Sequence, residues 1–232
     1  MRLERRATPS RAMQLGAPLV AVAFTLAISS LLVAWAGAPV GRAYALLLEG
    51  GFGSRFAWSE TLTRATPLIL TGLAAAVAFR ARLYNIGAEG QLYAGTIAAV
   101  AVGGAHGGTG FELPLALLFP LMMVAAALAG ALLLLGPAWL KVRFQVDEVV
   151  TTLLLNFVVL LGVSALLDGA MKDPAAMGWP QSVVLQEGLG LSALIERTRT
   201  HTGLIAALVL AALAWLMVSR STLGFALQAG MR

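Results

Sequence analysis

Six stretches without a charged side chain set the terms on which this chain can fold. Ala12–Gly41 runs for 30 residues, Ala65–Phe79 for 15, Gly90–Phe111 for 22, Leu113–Leu140 for 28, Val149–Leu167 for 19 and Thr200–Ser219 for 20. A helix needs about 20 apolar residues to cross the hydrocarbon core of a bilayer. Five of the six runs meet or nearly meet that length, and the second is short. Mean hydropathy is +0.85 and only 12% of residues are charged, against about 25% in soluble domains. A soluble fold of this size cannot hide so much apolar surface in one core. The expectation is an all-α polytopic membrane protein with about six transmembrane helices.

Several function classes fall away. There is no cysteine, so thiol nucleophiles, disulfides and iron–sulfur ligands are excluded. The two histidines, His106 and His201, lie too far apart in sequence to suggest a metal cluster. The pI near 10.4 does not point to nucleic acid, because the basic residues are not gathered in one run. They stand at the ends of apolar segments, where Lys and Arg set membrane orientation. With the N-terminus inside, the inner side holds ten basic residues, among them Arg80, Arg82, Lys141, Arg143 and Arg220, and the outer side six. N-terminus in the cytoplasm is the reading. The first apolar run exceeds a signal-peptide core of 7–15 residues and further spans follow it, so it reads as a retained helix. The outer segments Gly41–Thr63 and Asp168–His201 are long enough for short interfacial helices. Pro174, Pro180, Gly178, Gly188 and Gly190 break up the second, and Trp179 is a possible interface anchor.

The stretch RLYNIGAEGQLYAG, Arg82–Gly95, interrupts this pattern. It places Asn85, Glu89, Gln91 and three glycines beside the short second run. Two readings stay open. The segment is an inner turn, since Gly and Asn suit turns, or it is a break in a membrane helix. The second reading rests on the 15-residue run, which covers only about 22 Å as a helix, and on Leu83, Tyr84 and Ile86, which a solvated turn would strand in water. Short, Gly-interrupted apolar segments mark polar pathways in transporters. Unwound backbone at membrane depth is tolerated only against protein or a wet cavity. Glu89 would then be paired, protonated or water-facing, with Arg80 and Arg82 as possible partners.

Other polar residues carry less. Asn156 within the fifth run reads as helix–helix glue or as a pathway contact. Thr151 and Thr152 bond back to their own helix and receive no role. Asp147 and Glu148 precede that span and read as a structural cap; no third group completes an acid–base site. The glycines from Gly103 to Gly110 lack the Lys and Ser/Thr of a phosphate loop and read as an outer turn. Gly72, Gly95 and Gly130 read as points of close helix approach.

The stretch PLILTGLAAAVAFRARLYNIGAEGQLYAG, Pro67–Gly95, resembles the signature of permease subunits of bacterial ABC importers. It is most similar to the branch serving nucleosides and simple sugars, related to branched-chain amino-acid and ribose permeases. KVRFQVDEVVTTLLLNF, Lys141–Phe157, resembles the segment entering that branch's middle helix, with Asp147 where asparagine is common. STLGFALQAGMR, Ser221–Arg232, resembles the start of the cytoplasmic coupling loop. The resemblance implies a pore-forming subunit with no chemistry of its own and no cofactor, in the bacterial cytoplasmic membrane. It implies an extracytoplasmic solute-binding protein, separate cytoplasmic ATP-binding subunits and a second permease subunit. Asn85, Glu89, Gln91 and Asn156 would shape the substrate path, and Ser221, Leu223, Gly224, Phe225 and Leu227 would contact the ATPase. Relatives continue past this loop, so the chain is expected to be a single permease domain, C-terminally incomplete. The alternatives are a structural membrane subunit or gene fragment, and an intramembrane enzyme.

Overall fold

The computed structural model describes residues 11–105, 110–222 and 224–225. Its regular elements are helices: α1 (Arg11–Trp35), α2 (Val40–Phe52), α3 (Arg55–Arg80), α4 (Ala88–Gly103), α5 (Leu115–Phe144), α6 (Glu148–Asp168) and α7 (Gly203–Arg220). Among the described residues, five helices are long and apolar enough to cross a membrane: α1, α3, α5, α6 and α7. The protein is an all-α, membrane-embedded chain.

The expected short second span is a correction. Ala65–Phe79 belongs to the 26-residue α3, which begins ten residues earlier at Arg55. Charge-free runs under-measure a helix whose first turns lie at the interface, where Arg55, Glu60 and Arg64 are tolerated. The Ser54 hydroxyl accepts the Ala57 N–H at 3.0 Å and starts this helix. The short element lies on the other side of the break. α4 has 16 residues, about 24 Å of helix, where the sequence suggested a span over Gly90–Phe111.

α3 ends in a reverse-turn cap. The Arg82 N–H donates to Phe79 O and the Leu83 N–H to Ala78 O, each at 3.0 Å, with Arg82 in the left-handed region at φ 55°. That pair of bonds satisfies the last carbonyls and turns the chain sharply. Residues 83–87 then run without helix into α4.

The chain divides after Thr61, within α3, into two compact units. In the first, α1 packs on α2 and the Tyr44 hydroxyl donates to Leu26 O at 2.6 Å. The outer segment Gly41–Thr63 does contain a short helix, α2. In the second, α4 packs against α5 and α6, and α5 against α6.

The other outer segment, Asp168–His201, forms no helix among its described residues. Instead it is a set of turns closed by the isolated bridges Lys172–Ser182 and Ala193–His201. Met177, Gly178, Gly188 and Arg197 adopt positive φ, which no helix accommodates. This segment folds over the C-terminal end of α4. The Ala105 N–H donates to Val184 O at 2.8 Å and the Gln186 N–H to Gly103 O at 2.9 Å. Two buried apolar clusters lie beneath it, Val102–Leu118–Met122–Leu189 and Val100–Met171–Val183.

Candidate functional site

The buried residues of α6 are Glu148, Thr152 and Asn156, spaced four apart on one helix face. Its leucines, such as Leu154 and Leu161, are exposed instead. A helix that buries its polar stripe and exposes its apolar one is arranged for lipid outside and a polar partner inside. That partner is the non-helical segment after α3. The Tyr84 N–H donates to Glu148 Oε1 and the Ile86 N–H to Thr152 Oγ1, each at 3.2 Å. The Thr152 hydroxyl donates in turn to Glu148 O at 2.7 Å. One turn further on, Asn156 Nδ2 donates to Glu89 Oε2 at 3.5 Å.

Between Tyr84 at Glu148 and Ile86 at Thr152 the segment climbs α6 by about one turn, a rise of about 6 Å. It is held against protein along α6. Together with α4 it covers about 30 Å, the thickness of a hydrocarbon core that α4 alone falls short of. The Tyr84, Ile86 and Gly87 N–H groups are satisfied by side chains, as an environment without water would require.

A second set of bonds ties the segment to itself and to α5. Asn85, 3% exposed, donates through Nδ2 to Gln91 Oε1 at 2.6 Å and accepts the Gly87 N–H at 2.8 Å. Gln91 Nε2 donates to Gly130 O on α5 at 2.9 Å. Two glycines make this proximity possible. A Cβ on Gly87 would lie 2.8 Å from Thr152 O, and one on Gly90 2.8 Å from Asn156 Oδ1. Gly95 and Gly130 mark the α4–α5 approach as expected, with Ala126 O and Gln91 O as the facing atoms, while Gly72 faces open space.

Lys141, near the end of α5, closes the inner end. Its ammonium donates to both Glu148 Oε1 and the Arg82 carbonyl. Gln145, at φ 56°, turns the chain from α5 to α6. The Asp147 carboxylate accepts the Val149 and Val150 N–H groups at 2.8 and 3.4 Å, the helix cap read from the sequence. Glu148 does more than cap, because it pairs with Lys141 and holds the Tyr84 amide.

The structure thus brings Asn85, Glu89, Gln91 and Asn156 together. Glu89 is exposed and the other three are buried or half-buried. The side-chain contact that the structure gives Glu89 is Asn156. Asn156 Oδ1 is buried and has no hydrogen-bond partner among the described residues. Asn85, Gln91, Thr152 and Asn156 line a cavity of about 10 Å³, closed by Leu133 and Pro137. That is room for about one water, far below the 300–1,000 Å³ of sites for small organic ligands. In this conformation the polar cluster leaves no room for an organic solute.

Sequence reasoning missed Lys141, Glu148 and Thr152. Thr152 does bond back to its helix, yet its oxygen also accepts the Ile86 amide. The signal was available in the Glu148–Thr152–Asn156 spacing within an otherwise apolar helix.

At the far end of the chain, Ser221 terminates α7. Its hydroxyl accepts the Gly224 N–H at 3.1 Å, and the Phe225 N–H donates to Ser221 O at 3.0 Å. Phe225 is 73% exposed. Leu223 and Leu227 lie outside the described residues.

A family model described as branched-chain amino acid transport system / permease component matches residues 57–232. The chain belongs to that family. Its match begins in α3 and takes in the non-helical segment, the α6 stripe and the turn after α7. The chain is similar to a guanosine ABC transporter permease protein of Bacillus subtilis (strain 168), with 37% identity over 91% of this chain and 60% of the relative. It is also similar to a glucose ABC transporter permease protein of Haloferax volcanii, 34% identical over 97% of this chain and 60% of the relative. A nucleoside ABC transporter permease protein of Lactococcus lactis subsp. cremoris is 26% identical over 91% and 59%. The chain spans about three-fifths of the length of the curated relatives it matches. No solved structure matches it.

Proposed function

We propose that the chain is the transmembrane subunit of an ATP-driven importer that moves nucleosides or simple sugars across the cytoplasmic membrane of a bacterium. Its N-terminus lies in the cytoplasm, and residues 1–232 form one permease domain. Separate cytoplasmic ATP-binding subunits supply the energy, and an extracytoplasmic solute-binding protein delivers the cargo. A second permease subunit, identical or related, completes the path. The observation that supports this reading is the non-helical segment before α4 together with Glu89 in its first turn, held along a buried polar stripe of α6. Broken backbone beside a polar stripe is how a membrane bundle offers hydrogen bonds to hydrophilic cargo.

Within the path the four polar residues divide their work. Asn85 and Gln91 fix the backbone, since each spends its carboxamide on protein partners. Glu89 and Asn156 face the cargo, because Glu89 is exposed and Asn156 retains an unused acceptor. Opening requires α4 and α6 to part, so cargo or ATP state must bind the open and closed arrangements unequally. Ser221, Leu223, Gly224, Phe225 and Leu227 form the contact with the ATP-binding subunit, with exposed Phe225 as its apolar anchor.

The test is ATP-dependent uptake of labelled guanosine and glucose by proteoliposomes holding the chain with its partner subunits. Glu89→Gln and Asn156→Ala are expected to lower uptake about tenfold, equivalent to some 1.4 kcal/mol, with assembly unchanged. Undiminished uptake by both variants would remove these residues from the path. An assembled complex that carries neither solute and does not couple to ATP would mark a structural subunit instead.

A further inference from the structure

α3 and α7 face each other across two crevices of different size. The wider, about 670 Å³, is lined by aliphatic side chains of both helices together with Leu134 of α5. The narrower is about 170 Å³. Its walls are Leu73, Ala76 and Val77 of α3 and Ala211, Ala214 and Val218 of α7. They are wholly apolar, so water gains nothing there. An apolar group such as a hydrocarbon chain suits those walls.

Arg80 and Trp215 complete the lining. Arg80 is the last residue of α3 and is exposed. Among the described residues its guanidinium meets no carboxylate. Trp215 is 62% exposed, and its indole is both an apolar wall and an N–H donor, the combination favoured at headgroup level. An apolar slot with an exposed cation beside it matches the two halves of an acidic lipid.

From this we infer that the narrow α3–α7 crevice is a binding site for an anionic phospholipid. One acyl chain lies between Val77 and Ala214, and the phosphate pairs with Arg80 while Trp215 flanks the glycerol region. Basic pockets between transmembrane helices hold anionic headgroups in this way. The inference does not depend on what the chain transports.

Native mass spectrometry of the full chain tests it, after release from nanodiscs of equimolar phosphatidylglycerol and phosphatidylcholine with matched tails. The wild type is expected to retain phosphatidylglycerol preferentially. Arg80→Gln should reduce that preference about fivefold, the factor one basic residue near an anionic surface contributes. Arg80→Lys should keep most of it, and Arg143→Gln, on another helix, should leave it unchanged. Ala214→Phe fills the slot and should lower retention of both lipids. Equal retention by the wild type, or a preference untouched by Arg80→Gln, overturns the proposal. So does a second copy of the chain or another polypeptide bound at this face in place of lipid.

Discussion

α4 is held at its two ends by a different balance of chemistry. Its C-terminal end adds apolar contact to backbone hydrogen bonds, with Val100 and Val102 packed against Leu118, Met122, Met171, Val183 and Leu189. Its N-terminal end is gripped by hydrogen bonds, through Asn85, Gln91, Glu148, Thr152 and Asn156. Apolar burial is favourable where water competes for the surface, and between helices in lipid close packing with polar bonds takes its place. The expectation is that the C-terminal end of α4 stays fixed while its N-terminal end changes partners.

The largest effect separating the two ends is expected at Leu118, which is fully buried. Leu118→Ala should lower stability by about 2–5 kcal/mol, read from reversible unfolding in mixed micelles, and leave transport per folded molecule unchanged. A loss of transport out of proportion to folding would mean the outer end also moves in the cycle. Next comes Asn85→Leu, which strands the Gly87 N–H and Gln91 Oε1. It should cost about 1–3 kcal/mol and alter transport as well as stability. Combined with Leu118→Ala, its effect should add to within about 0.5 kcal/mol, whereas Asn85→Leu and Gln91→Leu should be strongly non-additive. Additivity within the polar cluster would show that its bonds act singly. The smallest effect belongs to Thr152→Val, which keeps shape and loses the Ile86 acceptor, for about 1 kcal/mol. Thr151→Val, one position along and off the stripe, should change stability by less than about 0.5 kcal/mol.

Much of the fold could be read from the chain because lipid leaves few choices. Long uncharged runs gave the helices, and the Gly- and Asn-rich stretch gave the break. The misreadings have a common physical origin. α3 was under-measured because Arg55, Glu60 and Arg64 are charged yet helical, so the shortage of length was placed before the break and not after it. The turns of Asp168–His201 depend on the end of α4, which no local pattern in Met171–Leu189 announces. At the site, Asn85, Glu89, Gln91 and Asn156 could be picked out as polar residues in apolar surroundings. Glu148 and Thr152 could not be given their roles, because a cap and a self-bonded threonine satisfy local rules completely. Only the neighbouring segment shows that their remaining oxygens accept the Tyr84 and Ile86 amides.

Residue-resolved amide hydrogen exchange over 82–91 in lipid nanodiscs tests the central claim, that the α6 stripe holds the unwound segment inside the membrane. The Tyr84 and Ile86 amides should exchange far more slowly than an unstructured chain, and Thr152→Val should speed Ile86 while leaving Tyr84 slow. Exchange of both amides at the rate of a free peptide in the wild type would contradict the account.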